Sequence, residues 1–294
     1  MVRKLLALCA LLVASAGGFN ATASPAPLTL TVYDPGAASV FPVTSVIVAG
    51  VKDVVLVDAQ FQTNDAEALV KAIKATGKRL TVVYVSHSDP DYYFGLGVIH
   101  AAFPHAAILA TAPTVAAIKA LAARKLAYWG PVLGANAPKS LIIPKVLNGD
   151  HLTLEGRRLD IVGLDGPTPA RSFVWIPSLQ TVLGGAILFA GTHVWVADTP
   201  SFEARAQWRS TLARVVALHP LRVIPGHSLG PVPPGLAAVS FDDAYLTAFD
   251  QEAARAQTSA ELIKAMERRY PDLPETAWLE LGAKVVKGEM RWPQ

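Results

Sequence analysis

The chain has 294 residues, 52% of them hydrophobic and 17% charged, with 26 Lys and Arg against 23 Asp and Glu. That length holds one large α/β domain or two small ones, and the composition is not that of a membrane protein. The near-balanced charge, with no basic run and no low-complexity tract, speaks against nucleic acid or an anionic membrane as a partner and leaves small molecules as the expected one.

The chain opens with a leader. Arg3 and Lys4 precede an apolar run over residues 5–16, and Ala21-Thr22-Ala23 offers a cleavage site before Ser24. The run is too short to span a bilayer, so residues 1–23 read as a Sec-type signal peptide, with a periplasmic or secreted product and no stable membrane anchor. Cleavage removes Cys9, the one cysteine, and takes the formal charge from +3 to +1 with the loss of Arg3 and Lys4. The mature protein then has no thiolate for metal or catalysis and no disulfide, so it rests on its core.

Residues 28–33 alternate as a strand, residues 43–49 are β-rich up to a turn at Gly50, and residues 54–57 form a continuous apolar strand ending at Asp58. Strand, tight turn and strand predict a hairpin. A helix starts near Thr63 with Ala68, Leu69, Ala72 and Ile73 at helical spacing, and Gly77 stops it. Residues 80–85 are a strand, 95–103 a helix, 107–110 a short strand and 114–126 an amphipathic helix. Residues 128–146 hold Pro131, Gly134, Pro138 and Pro144 and predict a long irregular loop, a candidate lid that begins at Tyr128 and Trp129. Strands follow at 159–164, 172–176 and 181–183, then a helix at 202–218 and a strand at 221–224. From residue 240 the pattern is helical in pieces broken at Pro271 and Pro274, with Met266, Trp278 and Leu279 as the residues that pack these pieces on the body.

The stretch that carries chemistry is the end of the 80–85 strand. Its apolar residues run into Ser86-His87-Ser88-Asp89-Pro90-Asp91-Tyr92, which places one His and two Asp within five residues. A buried strand ending in polar side chains is where α/β folds position reactive groups. Other polar landmarks also close strands: Asp58, Asp165 before Gly166-Pro167, Gly184-Gly185-Ala186, and Pro225-Gly226-His227. Each has a plain structural reading beside the functional one. Asp89 and Asp91 flank a proline as in an Asx-turn, Asp165 fits a turn, and His87 could be satisfied by backbone.

This set of landmarks resembles the metallo-β-lactamase fold family, whose signature is His-x-His-x-Asp-His at the end of a strand. The resemblance covers about residues 28–227. It implies an α+β fold, the four-layer αββα sandwich, over residues 24–239, with residues 240–294 as a helical extension. By position, His87, Asp91 and His227 match family metal ligands, and Asp58 matches the acid that orients a metal-bound His. Asp89 stands at the second His of the signature, Tyr92 at its last His, Asp165 at the next His, and Ala186 where a bridging carboxylate would come.

The metal ligands implied by the resemblance are therefore His87, Asp89, Asp91, Asp165 and His227, with Asp91 the catalytic residue that orients or deprotonates water. Tyr92, Trp129 and His193 are the substrate-facing residues. The cofactor implied is a divalent metal, zinc by family, with iron or manganese favoured by the carboxylate-rich set. Without the bridge at Ala186, one tight site is expected rather than a coupled pair. The function implied is an exported metal-dependent hydrolase of a small ester, thioester, lactone or amide. Two alternatives stand beside it: an iron-binding redox protein, and a catalytically silent binding protein in which Arg171 or a lysine supplies the positive charge in place of metal.

Overall fold

The computed structural model describes residues 26–163 and 171–292. The proposed signal peptide and the proposed ligand Asp165 lie outside the described residues, as does most of the loop after Asp165.

The first sheet has six strands in the order β1-β2-β3-β4-β5-β6. They are β1 (Thr29–Tyr33), β2 (Ser45–Ala49), β3 (Asp53–Val57), β4 (Arg79–Val85), β5 (Ala107–Ala110) and β6 (Lys145–Val146). The β1–β2 and β2–β3 pairs are antiparallel and the next three are parallel, so chain direction reverses twice and then repeats through helical crossovers. Those crossovers are α1 (Thr63–Ala75), α2 (Leu96–Ala102) and α3 (Ala112–Leu133). Helix α3 starts where Thr111 accepts a hydrogen bond from the Thr114 amide and Pro113 occupies the first turn.

The second sheet has the order β12-β10-β9-β8-β7. Its members are β7 (His151–Leu154), β8 (Arg157–Val162), β9 (Phe173–Ile176), β10 (Thr181–Leu183) and β12 (Arg222–Ile224). A short parallel pair joins β11 (Phe189–Ala190) to β13 (His227–Ser228). Helices α4 (Phe202–Ala217), α5 (Ala237–Arg255), α6 (Ser259–Arg269) and α7 (Thr276–Val286) complete the described chain.

Strand alternation explains why the sheets stack. Val46, Val48, Val55, Val57 and Tyr84 of the first sheet form one buried cluster with Leu152, Leu159, Ile161, Val174 and Leu183 of the second. The intervening residues Ile47, Val54, Leu56, Val83 and Val85 join the helix-side cluster with Leu69, Ile73 and Ile118. On the second sheet, Phe173, Val182 and Val223 join that helix-side cluster with Trp208 and Leu212 of α4. Strands covered on both faces read as unbroken apolar runs, which is what residues 54–57 and 82–85 are. The result is the αββα sandwich expected from the sequence.

The 128–146 stretch departs from expectation. Tyr128, Trp129 and Pro131 belong to α3, which runs to Leu133 before Gly134 ends it at φ 55°. Pro131 falls in the last turn, where its missing N–H removes one hydrogen bond, and buried Trp129 and Leu133 hold that turn to the core. Only residues after 133 leave the helix.

The strand ends are drawn together by close backbone packing. A Cβ added to Gly226 would sit 2.2 Å from the Gly185 carbonyl oxygen, and one added to Gly185, at φ 53°, would sit 2.6 Å from the Ser86 Oγ. The Pro-Gly-His and Gly-Gly landmarks are thus the contact points of the three loops that carry His87, Ala186 and His227. Gly226→Ala is expected to lower unfolding free energy in urea by about 1–3 kcal/mol, the cost of overpacking a site whose neighbour is backbone and cannot yield. An unchanged midpoint would show that the loops have room between them.

Candidate functional site

Asp58 closes β3 at φ 67° and is buried. Its two carboxylate oxygens accept from the Ser86 amide and the Ser86 hydroxyl, both at 2.8 Å. It therefore grips Ser86, the residue immediately before His87, by both its backbone and its side chain, and not the His87 ring. Burial pushes its pKa up to about 7; the two Ser86 hydrogen bonds work against that and the Asp91 charge adds to it.

Past Ser86, the His87 Nδ1 approaches Asp89 Oδ2 to 2.9 Å. The other oxygen of Asp89 is taken by a residue the sequence reading did not single out: Lys125 of α3, whose Nζ is 3.0 Å from Oδ1. The same ammonium lies 3.5 Å from Asp198 Oδ1. Asp198 also accepts from the indole N–H of Trp195 at 2.6 Å and of Trp292 at 2.7 Å. Only 4% of the Lys125 side chain is exposed, and its charge sits 5.9 Å from the Trp292 ring. Burial pushes the Asp89 carboxyl up, yet Lys125 and His87 outweigh it and hold the acid well below the usual carboxylate range. Burial likewise lowers Lys125, and Asp89 and Asp198 reverse that and raise it. Both groups are ionised.

On the other side of Pro90, Asp91 Oδ2 faces His227 Nε2 at 3.1 Å. The His227 ring stacks on Phe189 at 4.7 Å with 17° between planes and meets Trp278 edge-on at 5.4 Å. Tyr92 is buried between the His87 and His227 rings, 5.7 and 5.6 Å away, with no hydrogen-bond partner for its hydroxyl. Burial, with Asp91, Asp58 and Asp89 adding to it, keeps its phenol protonated, which makes it a poor metal ligand.

Asp89, Asp91, Lys125, Arg171 and His227 face one narrow cavity of about 30 Å³ whose walls are aromatic, among them Phe41, Trp129, Trp195, Trp278 and Trp292. The α7 residue Trp278 and the C-terminal Trp292 bring the last helices into the site, so Trp278 serves as wall as well as core. Trp129 lines the cavity. His193 does not: its Nδ1 pairs with the Tyr245 hydroxyl at 2.9 Å and burial lowers its pKa to about 4, because α5 rather than the cavity covers it.

The Metallo-beta-lactamase superfamily profile matches residues 38–227, well over half of the chain. The chain belongs to the metallo-beta-lactamase superfamily. A metallo-beta-lactamase from Pontibacter korlensis shares its fold, with a TM-score of 0.56 at 18% identity, over 77% of this chain and 97% of that one. A beta-lactamase domain protein from Burkholderia ambifaria gives 0.63 at 15% identity, over 88% of this chain and 84% of that one. A search of the curated proteins finds no match.

Superfamily members generally hold divalent metals, and the donors present here fit that role at one corner of the site and not at the other. At the Asp89 corner the ammonium of Lys125 already neutralises the acid, so the charge that would attract a metal is spent. At the other corner Asp91 and His227 are an oxygen and an imidazole nitrogen facing one another, a pair that can share a proton or a cation. Among the described residues no group of three His, Cys, Asp or Glu side chains is placed to hold a metal, and Ala186 offers no bridging oxygen between the corners.

Lys125 had a legible signature. Val115, Ile118, Ala122, Lys125, Trp129 and Leu133 repeat every three or four residues along the buried face of α3, so the lysine occupies an apolar phase of the helix. A charge at such a position implies a buried counter-charge.

Between about pH 4 and pH 7 the folded protein keeps a proton on Asp58 that the unfolded chain releases. This group's contribution to stability therefore falls as pH rises through that window. Unfolding free energies of the native protein and of Asp58→Asn, measured in urea at pH 5 and pH 7, are expected to converge or cross toward the variant by on the order of 2 kcal/mol as pH rises. A pH-independent difference would show that Asp58 is ionised throughout.

Proposed function

We propose that this protein is an exported hydrolase of the metallo-beta-lactamase superfamily that acts on a small ester, thioester, lactone or amide held in the aromatic cavity. The observation that carries the reading is the Asp91–His227 pair, a carboxylate and an imidazole 3.1 Å apart on the cavity wall. A carboxylate with one oxygen held by an imidazole can orient a water and accept its proton, which is general-base catalysis. The aromatic walls exclude bulk water from the pair and present apolar rings to a substrate. Arg171, on the cavity wall, supplies positive potential where the substrate carbonyl gains negative charge.

Asp91 and His227 are the residues that would hold a divalent cation, zinc by family, or iron or manganese. Such an ion would lower the pKa of a water and polarise the carbonyl. Asp58 holds the β4 end in place through Ser86, so its role is to position the loop that carries His87, Asp89 and Asp91.

A second reading, small-molecule binding without turnover, is favoured by the Lys125–Asp89 ion pair, since a site neutralised from within has lost part of the family's reactive charge. A panel of ester, thioester, lactone and β-lactam substrates, assayed with and without added zinc, manganese and iron, separates the two. Turnover that falls at least about 100-fold in Asp91→Ala is the expected result. No turnover on any substrate, with compounds of the panel still raising the melting temperature, would replace the hydrolase by the binding protein.

A further inference from the structure

We propose that Lys125 is a built-in cation that takes the place of a metal ion at the Asp89 corner, so that this site admits at most one divalent ion, at Asp91 and His227. The inference deepens the functional reading above and rests on it only for the second corner. Three observations carry it. The ammonium is inside the protein, with 4% of its side chain exposed, and it lies 3.0 Å from one oxygen of Asp89. The other oxygen of Asp89 is 2.9 Å from His87 Nδ1, so the carboxylate has a positive or polar partner on each oxygen. Asp198 fixes the lysine from behind at 3.5 Å and is itself fixed by two indole N–H groups, from Trp195 and Trp292.

The arrangement is built, since each charged member is held by at least two others. A long, flexible ammonium on a solvent-facing helix would gain little from such a pair. Here the stem is packed in the apolar stripe of α3 and only the head meets the acids. A divalent ion bound to Asp89 would stand within a few ångströms of that head, and like charges in a buried site repel strongly. Both ring nitrogens of His87 are buried, Nδ1 with only the Asp89 oxygen at 2.9 Å and Nε2 with no hydrogen-bond partner.

The ammonium then stands between two carboxylates, Asp89 and Asp198, where a divalent ion would otherwise be the counter-charge. Removing Lys125 leaves the carboxylates of Asp89 and Asp198 facing the space its ammonium filled. Those two carboxylates, facing one space without a counter-charge, are oxygen donors of the kind a divalent ion takes. The lysine is thus the residue that decides how many metals the scaffold can take.

The test counts zinc and follows thermal melting in full-length protein dialysed against zinc or manganese. Native protein and Asp89→Asn are expected to retain the same zinc, one equivalent or less. Lys125→Ala is expected to melt lower than the native protein, and zinc or manganese is expected to raise its melting temperature by several degrees more than that of the native protein. That gain is expected to vanish in Lys125→Ala/Asp89→Asn. Zinc lost from the native protein on Asp89→Asn would overturn the proposal, as would a Lys125→Ala melt that metal shifts no more than the native one. If Lys125→Ala does not fold, the zinc count of native protein against Asp89→Asn decides alone. Failure of the substrate panel would leave these counts unmoved, so the two proposals fall separately.

Discussion

The contact on which the site depends is the ion pair between Asp89 and Lys125. It joins the loop after β4 to the buried face of α3, and through Asp198 it reaches the indoles of Trp195 and Trp292. A buried ion pair adds little net stability over an apolar pair of the same size, but losing one partner strands the other charge, typically at about 3–5 kcal/mol. The pair is therefore better understood as fixing geometry than as adding stability. With it in place, Asp89 is committed, and the chemistry left to the cavity passes to Asp91 and His227.

The scaffold explains why these groups meet at all. Two sheets stack through the alternate residues of β2, β3 and β4 against β7, β8, β9 and β10, which brings the polar strand ends to one edge. Glycines at 185 and 226 let the loops touch through backbone. Asp58, in a left-handed conformation, ties β3 to the residue before His87. The last helices close the remaining side, so Trp278 and Trp292, far away in sequence, wall the cavity next to His227 and Lys125. Aromatic rings packed on an imidazole and an ammonium reduce water around both and strengthen their pairing with the acids.

Much of the fold was legible because its signals are local. Residues 54–57 and 82–85 are unbroken apolar runs, which is what strands covered on both faces require, and each ends in a polar residue that the structure places at the site edge. The order of Ser-His, Gly-Gly and Pro-Gly-His was legible as well, since each landmark is a short motif. The pairing of charges was not. Asp89 and Lys125 are 36 residues apart, and Lys125 and Asp198 are 73 apart, so their contact exists only once α3 lies across the first sheet. The positive partner foreseen in sequence was Arg171 or a lysine, and the structure seats Lys125 on the acid, with Arg171 at the cavity wall and its guanidinium 5.1 Å over the Trp208 ring. Prolines misled the reading of residues 128–133, because a proline in the last turn of a helix removes too little to end it when Trp129 and Leu133 are buried beside it.

A crystal structure of zinc-soaked protein, with anomalous scattering recorded on either side of the zinc edge, tests the central claim most directly. The account predicts that any peak lies between Asp91 and His227, with Lys125 Nζ still in hydrogen-bond contact with Asp89. A zinc peak on Asp89 and His87, with the lysine turned away, would contradict it.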